Sequence, residues 1–312
     1  MVDEQTARVE QRDLTMATSS DYTATTHARW AKDMRETIDR AIADGRTDAL
    51  CQLLSGAGAN DLRYAARCLI KSSPETVLER AKEWATHPDV TARRMACQLV
   101  PGISRDTEAR AFSLLRKLVN DADWTVRDAA AEVCGRLLCR EFPGVLSILH
   151  GWRSDEAANV RRAVVIAAAR AVHRRHPERT EPLLKLIEPF LADRDALLRK
   201  NLGPYALGVT FLRHDPRITF EYLVRWSTSN DEQVLWNVAM AFSGPAAAPL
   251  VKKAIIVLRK LSLDPRRYVW RAVASALWKL GRRRPDIVRP ELSRWLEDER
   301  RIPVAREALK HI

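Results

Sequence analysis

The sequence predicts an all-α fold made of repeated helical hairpins, and three observations lead to that prediction. Glycine contributes only 11 of 312 residues and aromatic side chains 6%, while alanine, leucine and arginine are frequent, a composition that favours helix. No apolar run approaches the roughly 18 residues of a membrane-spanning helix. The third observation is a short pattern that recurs along most of the chain.

The recurring pattern is a polar or acidic turn followed by a small or short polar residue that opens an apolar helix. Its copies read NDLRYAARCL, DVTARRMACQL, DWTVRDAAAEV, ANVRRAVVIAA, ALLRKNLGPYA, EQVLWNVAMAF and RYVWRAVASAL, with a weaker copy in IPVAREALKHI. The small position recurs every 31 to 38 residues, at Ala65, Ala96, Ala129, Ala163, Asn201, Asn237, Ala272 and Ala308. This spacing is typical of HEAT-like units, in which each hairpin buries its apolar face against its neighbours. The sequence therefore predicts a right-handed HEAT-like solenoid, an α-α superhelix.

The ends of the repeat suggest the domain boundaries. Residues 1–27 are polar and rich in Thr, Ser, Asp and Gln, so we expect a largely disordered tail there. Over residues 28–312 we expect a single HEAT-like domain of about seven to eight hairpins.

The cysteines are odd in number, show no C-x-x-C spacing and fall in helix-like segments, at Cys51, Cys68, Cys97, Cys134 and Cys139. With no signal-peptide pattern in view, they indicate reduced core residues of a cytoplasmic protein.

The charge balance points to a polyanionic partner. Lys and Arg number 52 against 40 Asp and Glu, a formal net charge of +12, which favours nucleic acid. The residues just before the small positions share one face of successive helices, at Tyr64, Met95, Asp128, Arg162, Lys200, Trp236, Arg271 and Glu307. Arg162, Lys200 and Arg271, flanked by Arg161 and Arg199, predict a basic concave face that follows a phosphate backbone. The alternative is an ordinary solvated polar face.

Asp128 is the exception in that basic row. A carboxylate facing phosphates weakens binding, so it needs another reason to be there. It could stabilise a helix start through the helix dipole, or form an ion pair with Arg127 or Arg162. The functional interpretation is that Asp128 meets positive charge developing on a substrate, beside Trp124 one helical turn earlier.

These motifs resemble the HEAT-like-repeat DNA glycosylases of the AlkC/AlkD type. Trp124 and Asp128 match the family's Trp four residues before a catalytic Asp, and VRRAV supplies the family's DNA-facing Arg as Arg162. RKNLGPYAL supplies Lys200 and Gly203 of the family's Lys-x-x-Gly, and DPRITFEYLVRW resembles the segment that follows. The family's next Trp is replaced by Pro204, with Tyr205 beside it.

The resemblance implies a monofunctional DNA glycosylase acting on N3- or N7-alkylated purines in duplex DNA without base flipping. Asp128 and Trp124 would be catalytic, and DNA would be bound by Arg162, Arg127, Arg161, Lys200, Arg199, Tyr205, Trp236 and Arg271. No cofactor and no metal are expected; His173 and His176 stand three apart but lack an accompanying carboxylate pattern. We expect a nucleoid-associated monomer serving DNA repair, or self-resistance in a producer of yatakemycin- or duocarmycin-like alkylators.

Two other functions stay open at this point. The chain could be a catalytically inactive relative that binds damaged or branched DNA, or a scaffold whose basic face meets an acidic protein. DNA binding through several phosphates would weaken steeply with salt, with a slope of roughly 0.9 per phosphate contacted, which separates DNA binders from the scaffold.

Overall fold

The computed structural model describes residues 32–56, 58–103 and 108–312. Every regular element in these ranges is helical, which confirms the predicted all-α, HEAT-like repeat fold. The chain divides into two compact units, Met1–Arg105 and Asp106–Ile312. The predicted tail over residues 1–27 lies outside the described residues. The single domain over residues 28–312 and the basic concave face stay predictions.

The first unit is organised around its last long helix. Its described helices are residues 32–43 (α1), Thr47–Leu54 (α2), Ala59–Leu69 (α3), Pro74–Ala85 (α4) and Val90–Leu99 (α5). Helix α5 packs against α2, α3 and α4. Its start is capped by the Asp89 carboxylate, which accepts hydrogen bonds from the backbone N–H groups of Thr91 and Ala92 and so satisfies two otherwise unpaired donors.

The second unit continues the alternation of helices and short turns. It comprises α6 Glu108–Leu118, α7 Trp124–Arg140, α8 Phe142–Gly151, α9 Ala158–Ala171, α10 Thr180–Ile187, α11 Ala196–Lys200, a π-helix Asn201–Phe211, α12 Leu212–His214, α13 Pro216–Trp226, α14 Glu232–Ala241, α15 Val251–Leu261, α16 Arg267–Arg283, α17 Pro285–Trp295 and α18 Ile302–Leu309. Short 3₁₀ turns join several of them, over Trp152–Ser154, Pro177–Arg179, Glu188–Ala192 and Pro245–Leu250.

One layer of this unit is a continuous stack of second helices. Helices α7, α9, the π-helix, α14, α16 and α18 each pack on the next in that order. Small residues at the predicted contact positions are buried at Ala163, Asn237, Ala272 and Ala308. Ala129 and Asn201 remain partly exposed, so the close-packing rule holds at four of the six positions in this unit. The stack brings the predicted site residues onto adjacent helices.

Aspartates cap α7 and α14 of the stack, and also α11, which leads into the π-helix. The Asp123 carboxylate accepts from the N–H groups of Thr125 and Val126, and Asp195 and Asp231 cap α11 and α14 in the same way. The acidic turn of the sequence repeat therefore supplies the N-caps of α7, α11 and α14, whereas α9 and α16 begin without a side-chain cap.

The π-helix owes its close packing to two glycines. A Cβ at Gly203 would lie 2.8 Å from Asn237 Oδ1, and one at Gly208 would lie 2.6 Å from the Ala241 carbonyl oxygen. Real Cβ atoms do not approach this closely, so only glycine lets the π-helix meet α14 here. Pro204 stands inside the same π-helix, where it supplies no N–H to a helical hydrogen bond.

The cysteines fit the expected core only in part. Cys51, Cys97 and Cys134 are buried free thiols, and burial raises the pKa of Cys134 to about 12. Cys139 is exposed, because it lies near the end of α7. The prediction that all five are core residues is therefore wrong for Cys139.

No single helix among the described residues is long and apolar enough to cross a membrane. Glu232–Ala241 and Pro245–Leu261 pass a length and composition test only as a pair, bent by 88° at their junction.

Candidate functional site

Trp124 is the first residue of α7, and its indole faces solvent. Its side chain is 64% exposed, the highest value for any aromatic residue in the described part of the chain. The preceding residue, Asp123, caps the helix, so the backbone that carries the indole is fixed. A single exposed aromatic is common, and its meaning depends on its neighbours.

Asp128 is the neighbour one turn along the same helix. Residues four apart share one face of a helix, so Trp124 and Asp128 stand side by side at the surface. Asp128 is the fifth residue of α7 and lies beyond its first turn, where the helix dipole acts most strongly, and Asp123 already caps the helix. Helix-start stabilisation therefore does not explain Asp128.

Asp128 instead pairs with Arg162 from the next helix of the stack. Arg162 Nη2 donates to Asp128 Oδ1 at 2.5 Å, while the side chains are 15% and 45% exposed, respectively. Arg162 is thus packed between α7 and α9, and the carboxylate lies nearer to water. A guanidinium has five N–H donors, so the bond to Asp128 leaves donors for a second anion.

A second carboxylate extends this stripe of α7. Glu132 lies one turn beyond Asp128, and its Oε2 is 3.5 Å from Arg170 Nη1 on α9. The Glu132 side chain is 44% exposed, close to the value for Asp128. Two opposite-charge pairs therefore bridge α7 and α9, and only the first is adjacent to Trp124.

The two arginines that precede Asp128 and Arg162 have a role inside the repeat. Arg127 Nη1 donates to the carbonyls of Asp121 and Ala122 at 2.8 and 2.7 Å. Arg161 Nη1 bonds two carbonyls of its own loop at 2.8 and 2.9 Å, and its Nε bonds Asp193 at 2.7 Å. Arg127 and Arg161 thus fasten a turn to the helix that follows it, a structural role that the sequence did not indicate.

The next helix of the stack carries Lys200 and Tyr205. Lys200 ends α11 and is exposed, and Tyr205 is 46% exposed on the π-helix that packs against α9. Pro204, in the place of the family Trp, is half-buried beside it. The aromatic surface on this helix therefore comes from Tyr205 and not from Pro204, which stands at the position of the family's Trp.

Arg199 and Trp236 belong to one cluster with Tyr268, a residue that the sequence did not single out. The Arg199 guanidinium lies 5.3 Å from the Trp236 ring centre and 5.9 Å from that of Tyr268. Arg199 Nη1 donates to the Tyr268 hydroxyl at 2.9 Å, and that hydroxyl donates to Gln233 Oε1 at 2.7 Å. The two rings are nearly parallel, at 16° with centres 6.0 Å apart. Arg199 is therefore a support for aromatic rings more than a solvated cation.

The exposure of the residues that precede the small positions differs between the two units. In the second unit Arg271 is exposed, with Glu307 nearby; the pKa of Glu307 is lowered chiefly by its hydrogen bond to Lys310 and to a smaller extent by Arg271. In the first unit Met95 is fully buried. The expected exposed row therefore does not include Met95.

Comparison with known proteins assigns the chain to a family. The model of the family described as DNA alkylation repair enzyme matches residues 54–223, more than half of the chain. The chain belongs to this DNA alkylation repair family. Membership gives it a role in the repair of alkylated DNA, with DNA as its partner. No curated protein matches it.

Several solved structures are similar to this family member. They include smu.31 from Streptococcus mutans UA159, with 18% identity, 89% of this chain and 99% of that chain covered and a TM-score of 0.32. AlkD2 from Streptococcus mutans has 18% identity, coverages of 82% and 90%, and a TM-score of 0.31. The karyopherin Kap121p, bound to the extreme C-terminus of the phosphatase Cdc14p, has 15% identity, coverages of 84% and 33%, and a TM-score of 0.48.

The family match divides the candidate site residues into two groups. Trp124, Asp128, Arg162, Lys200 and Tyr205 lie inside residues 54–223. Trp236, Tyr268 and Arg271 lie beyond it, on helices of the same stack. The sequence signal for the part on α16 is the RYVWR stretch, which spaces Arg267 and Arg271 by one helical turn around Tyr268.

Proposed function

We propose that this DNA alkylation repair protein is a monofunctional DNA glycosylase that hydrolyses the N-glycosidic bond of N3- or N7-alkylated purines in duplex DNA. The observation that carries the proposal is the Asp128 carboxylate, held by Arg162 at 2.5 Å and one turn from the exposed Trp124. All three residues fall within the family-matched segment.

The reaction needs little from the protein beyond a placed negative charge. Alkylation at N3 or N7 makes the purine cationic, so the C1′–N bond breaks with both electrons going to the base, which leaves neutral. The sugar becomes an oxocarbenium-like cation. Asp128 stabilises that cation and orients a water, whose oxygen bonds to C1′ while its proton passes to the carboxylate or solvent.

The neighbouring residues position the DNA in this proposal. Trp124 places its ring face against the sugar and the cationic lesion, an arrangement that a positive charge favours. Arg162 uses its remaining donors for a phosphate while it holds Asp128, and Lys200 contacts the same backbone from the next helix. Arg127, Arg161 and Arg199 support these elements through the contacts described above. Trp236 and Arg271 lie further along the stack and take no part in this duplex contact.

The proposed site works at the protein surface. The exposure of Trp124 (64%) and Asp128 (45%) supports the expectation from the resemblance that the lesion is met within the duplex and is not extruded into a pocket, unlike the substrates of most base-acting enzymes. An open site accepts bulky adducts, in general repair or in self-resistance to a DNA-alkylating natural product. No cofactor and no metal are part of the proposal.

Base release from alkylated duplex DNA tests the proposal. Purified protein is incubated under single-turnover conditions with duplex DNA carrying N3- or N7-methylated purines, and released base is quantified. Asp128→Asn keeps an acceptor for Arg162 but removes the charge. We expect a loss of about 10-fold, smaller than the roughly 100- to 1000-fold of a water-excluded site, because the carboxylate is half-exposed.

Glu132→Gln is the matched control for Asp128→Asn. It removes the same charge from the same face of α7, one turn away and at nearly equal exposure. Glu132→Gln should release base at the wild-type rate. Equal losses in both variants would mean that general charge, and not the placed carboxylate, matters.

One observation favours a second function, binding of damaged or branched DNA without catalysis. Pro204 replaces the aromatic wall that the resemblance implies, and it is half-buried in the π-helix. In that case wild type and Asp128→Asn would bind alkylated DNA alike, and neither would release base.

A further inference from the structure

An open cleft lies between α14 and α16, outside the family-matched segment. Its volume is about 610 Å³, and its lining includes Trp236, Met240, Arg267, Tyr268, Arg271 and Ser275. Trp236 and Met240 stand one turn apart on α14, and Arg267, Arg271 and Ser275 stand at successive turns of α16. The cleft thus combines an aromatic and apolar wall, made by Trp236, Met240 and Tyr268, with a cationic wall made by Arg267, Arg271 and Ser275.

The cationic wall is free to meet an anion. Arg267 and Arg271 are both exposed, and neither guanidinium makes a hydrogen bond or a close ion pair with any described residue. No carboxylate belongs to the lining, and Glu307 is the acid whose charge reaches Arg271. Two guanidinium groups and a hydroxyl, one turn or roughly 6 Å apart along a helix, match a row of phosphates.

The aromatic wall is held in place before any ligand arrives. Tyr268 bonds both Arg199 and Gln233, and Arg199 lies against the rings of Trp236 and Tyr268. Tyr268 and Trp236 are parallel to within 16°. Such fixed rings lose little conformational entropy on binding, which favours contact with a flexible ligand.

These features distinguish between forms of DNA. In a duplex, the faces of each base are covered by the neighbouring base pairs, so a protein can contact only phosphates, sugars and base edges. In a single strand, the base faces are open to aromatic side chains, while the backbone follows a positively charged groove. A groove that combines both walls fits the single strand.

We propose that the α14–α16 cleft binds single-stranded DNA, with a base against Trp236 and its backbone phosphates on Arg267 and Arg271. This inference rests on DNA as the partner and does not depend on the proposed glycosylase chemistry. The cleft gives the protein a second DNA contact, separate from the Trp124–Asp128 surface on α7 and suited to unpaired nucleotides.

Fluorescence anisotropy with the full chain tests the inference. The probes are a labelled 12-nucleotide oligothymidylate and an unmodified 12-base-pair duplex. Trp236→Leu should weaken oligothymidylate binding by roughly 5- to 150-fold, the range for loss of one base–aromatic stack, with an unchanged salt slope. Arg271→Ala should lower the salt slope by about 0.7, the value for one phosphate of a single strand.

Lys252→Ala is the charge control, because Lys252 is exposed on α15 and does not line the cleft. It should leave oligothymidylate binding unchanged. Ser275→Glu places a carboxylate on the cationic wall and gives a test that does not alter the ring cluster; it should abolish oligothymidylate binding while the helical circular dichroism is retained.

The following outcomes would overturn the inference. One is that wild-type protein binds the duplex but not oligothymidylate. Another is that Trp236→Leu or Ser275→Glu binds oligothymidylate like wild type. A third is that these variants lose affinity equally for the duplex and for the single strand. Base release by wild type is measured in parallel. If no base is released but the Trp236 and Ser275 effects hold, the glycosylase proposal fails and the strand-binding cleft stands.

Discussion

Arg162→Ala separates the two tasks assigned to this arginine, holding Asp128 and binding a phosphate. The variant removes the donor to Asp128 Oδ1 and the guanidinium packed between α7 and α9. If Arg162 contacts DNA, affinity for every DNA must fall. If it only holds Asp128, base release must change while affinity does not.

The structure sets the size of each effect. Asp128 is 45% exposed, so water replaces its lost partner, and the pair itself contributes about 1 kcal/mol or less to the free energy of unfolding. Arg162 is only 15% exposed, and loss of its packed aliphatic stem brings the total to about 1–2 kcal/mol. Loss of one phosphate contact lowers the salt slope of duplex binding by about 0.9.

The assay is duplex affinity measured between about 50 and 200 mM salt, where phosphate contacts dominate the change. Arg170→Ala is the control, because it removes the same charge from the same face of α9, where Arg170 is 48% exposed and its partner Glu132 lies 3.5 Å away. Arg162→Ala should lower the salt slope, and Arg170→Ala should not.

An unchanged slope in Arg162→Ala would refute the phosphate contact. The double variant Asp128→Asn/Arg162→Ala then decides what remains. If Arg162 acts only through Asp128, the double variant releases base as slowly as Asp128→Asn alone, with no further loss.

Two further predictions concern the scaffold. Gly203→Ala should lower the free energy of unfolding by roughly 1–3 kcal/mol in urea titrations, because its Cβ would meet Asn237 Oδ1 at 2.8 Å. Gly151→Ala is the control and should not lower it, because a Cβ there would meet nothing within 4 Å. Equal effects of the two variants would contradict the packing account. Burial, then the charges of His173, Arg213 and Arg174, lower the pKa of His214. Below about pH 6.5, His214 therefore binds a proton more readily in the unfolded chain than in the folded one, and the free energy of unfolding should fall from pH 7 to 5. His214→Asn should reduce that fall, and an unchanged pH dependence would show that another group is responsible.

The repeat, and with it the stack of helices, could be predicted because it depends on local chemistry. Several second helices begin at an acidic turn that caps them, as Asp123 and Asp195 do, and continue into an apolar face. Both signals lie within about ten residues of sequence, so they are visible without knowledge of tertiary contacts. The burial of the small positions was predicted less well, because Ala129 and Asn201 are partly exposed.

The partners of charged side chains could not be predicted in the same way. Arg127 and Arg161 share the motif position beside the site residues, yet their guanidinium groups turn back to loop carbonyls five and six residues earlier. Arg162 meets Asp128 across 34 residues of sequence. A long arginine side chain can reach several partners, and packing between helices decides among them.

The π-helix is a second feature that the motif could not reveal. An α-helical backbone would place the Pro204 ring against the carbonyl of Lys200, four residues earlier. The wider π turn begins at Asn201, and Gly203 and Gly208 let it approach α14. The residue order in RKNLGPYAL thus resembles the family motif, while the backbone presents Tyr205 to solvent at 46% exposure.

The exposure of Asp128 bears on the substrates that the proposed glycosylase could use. A carboxylate 45% exposed acts through a high effective dielectric, where charge–charge stabilisation is several-fold smaller than in a buried site. Arg162, at 2.5 Å, offsets part of the same charge. Such a site cannot expel a neutral purine, which needs protonation as well as stabilisation of the sugar cation. It can assist a base that is already cationic, because the leaving group then carries its own driving force. Selectivity for alkylated purines would therefore follow from the weakness of the site and from the chemistry of the lesion, with no pocket needed to recognise the base.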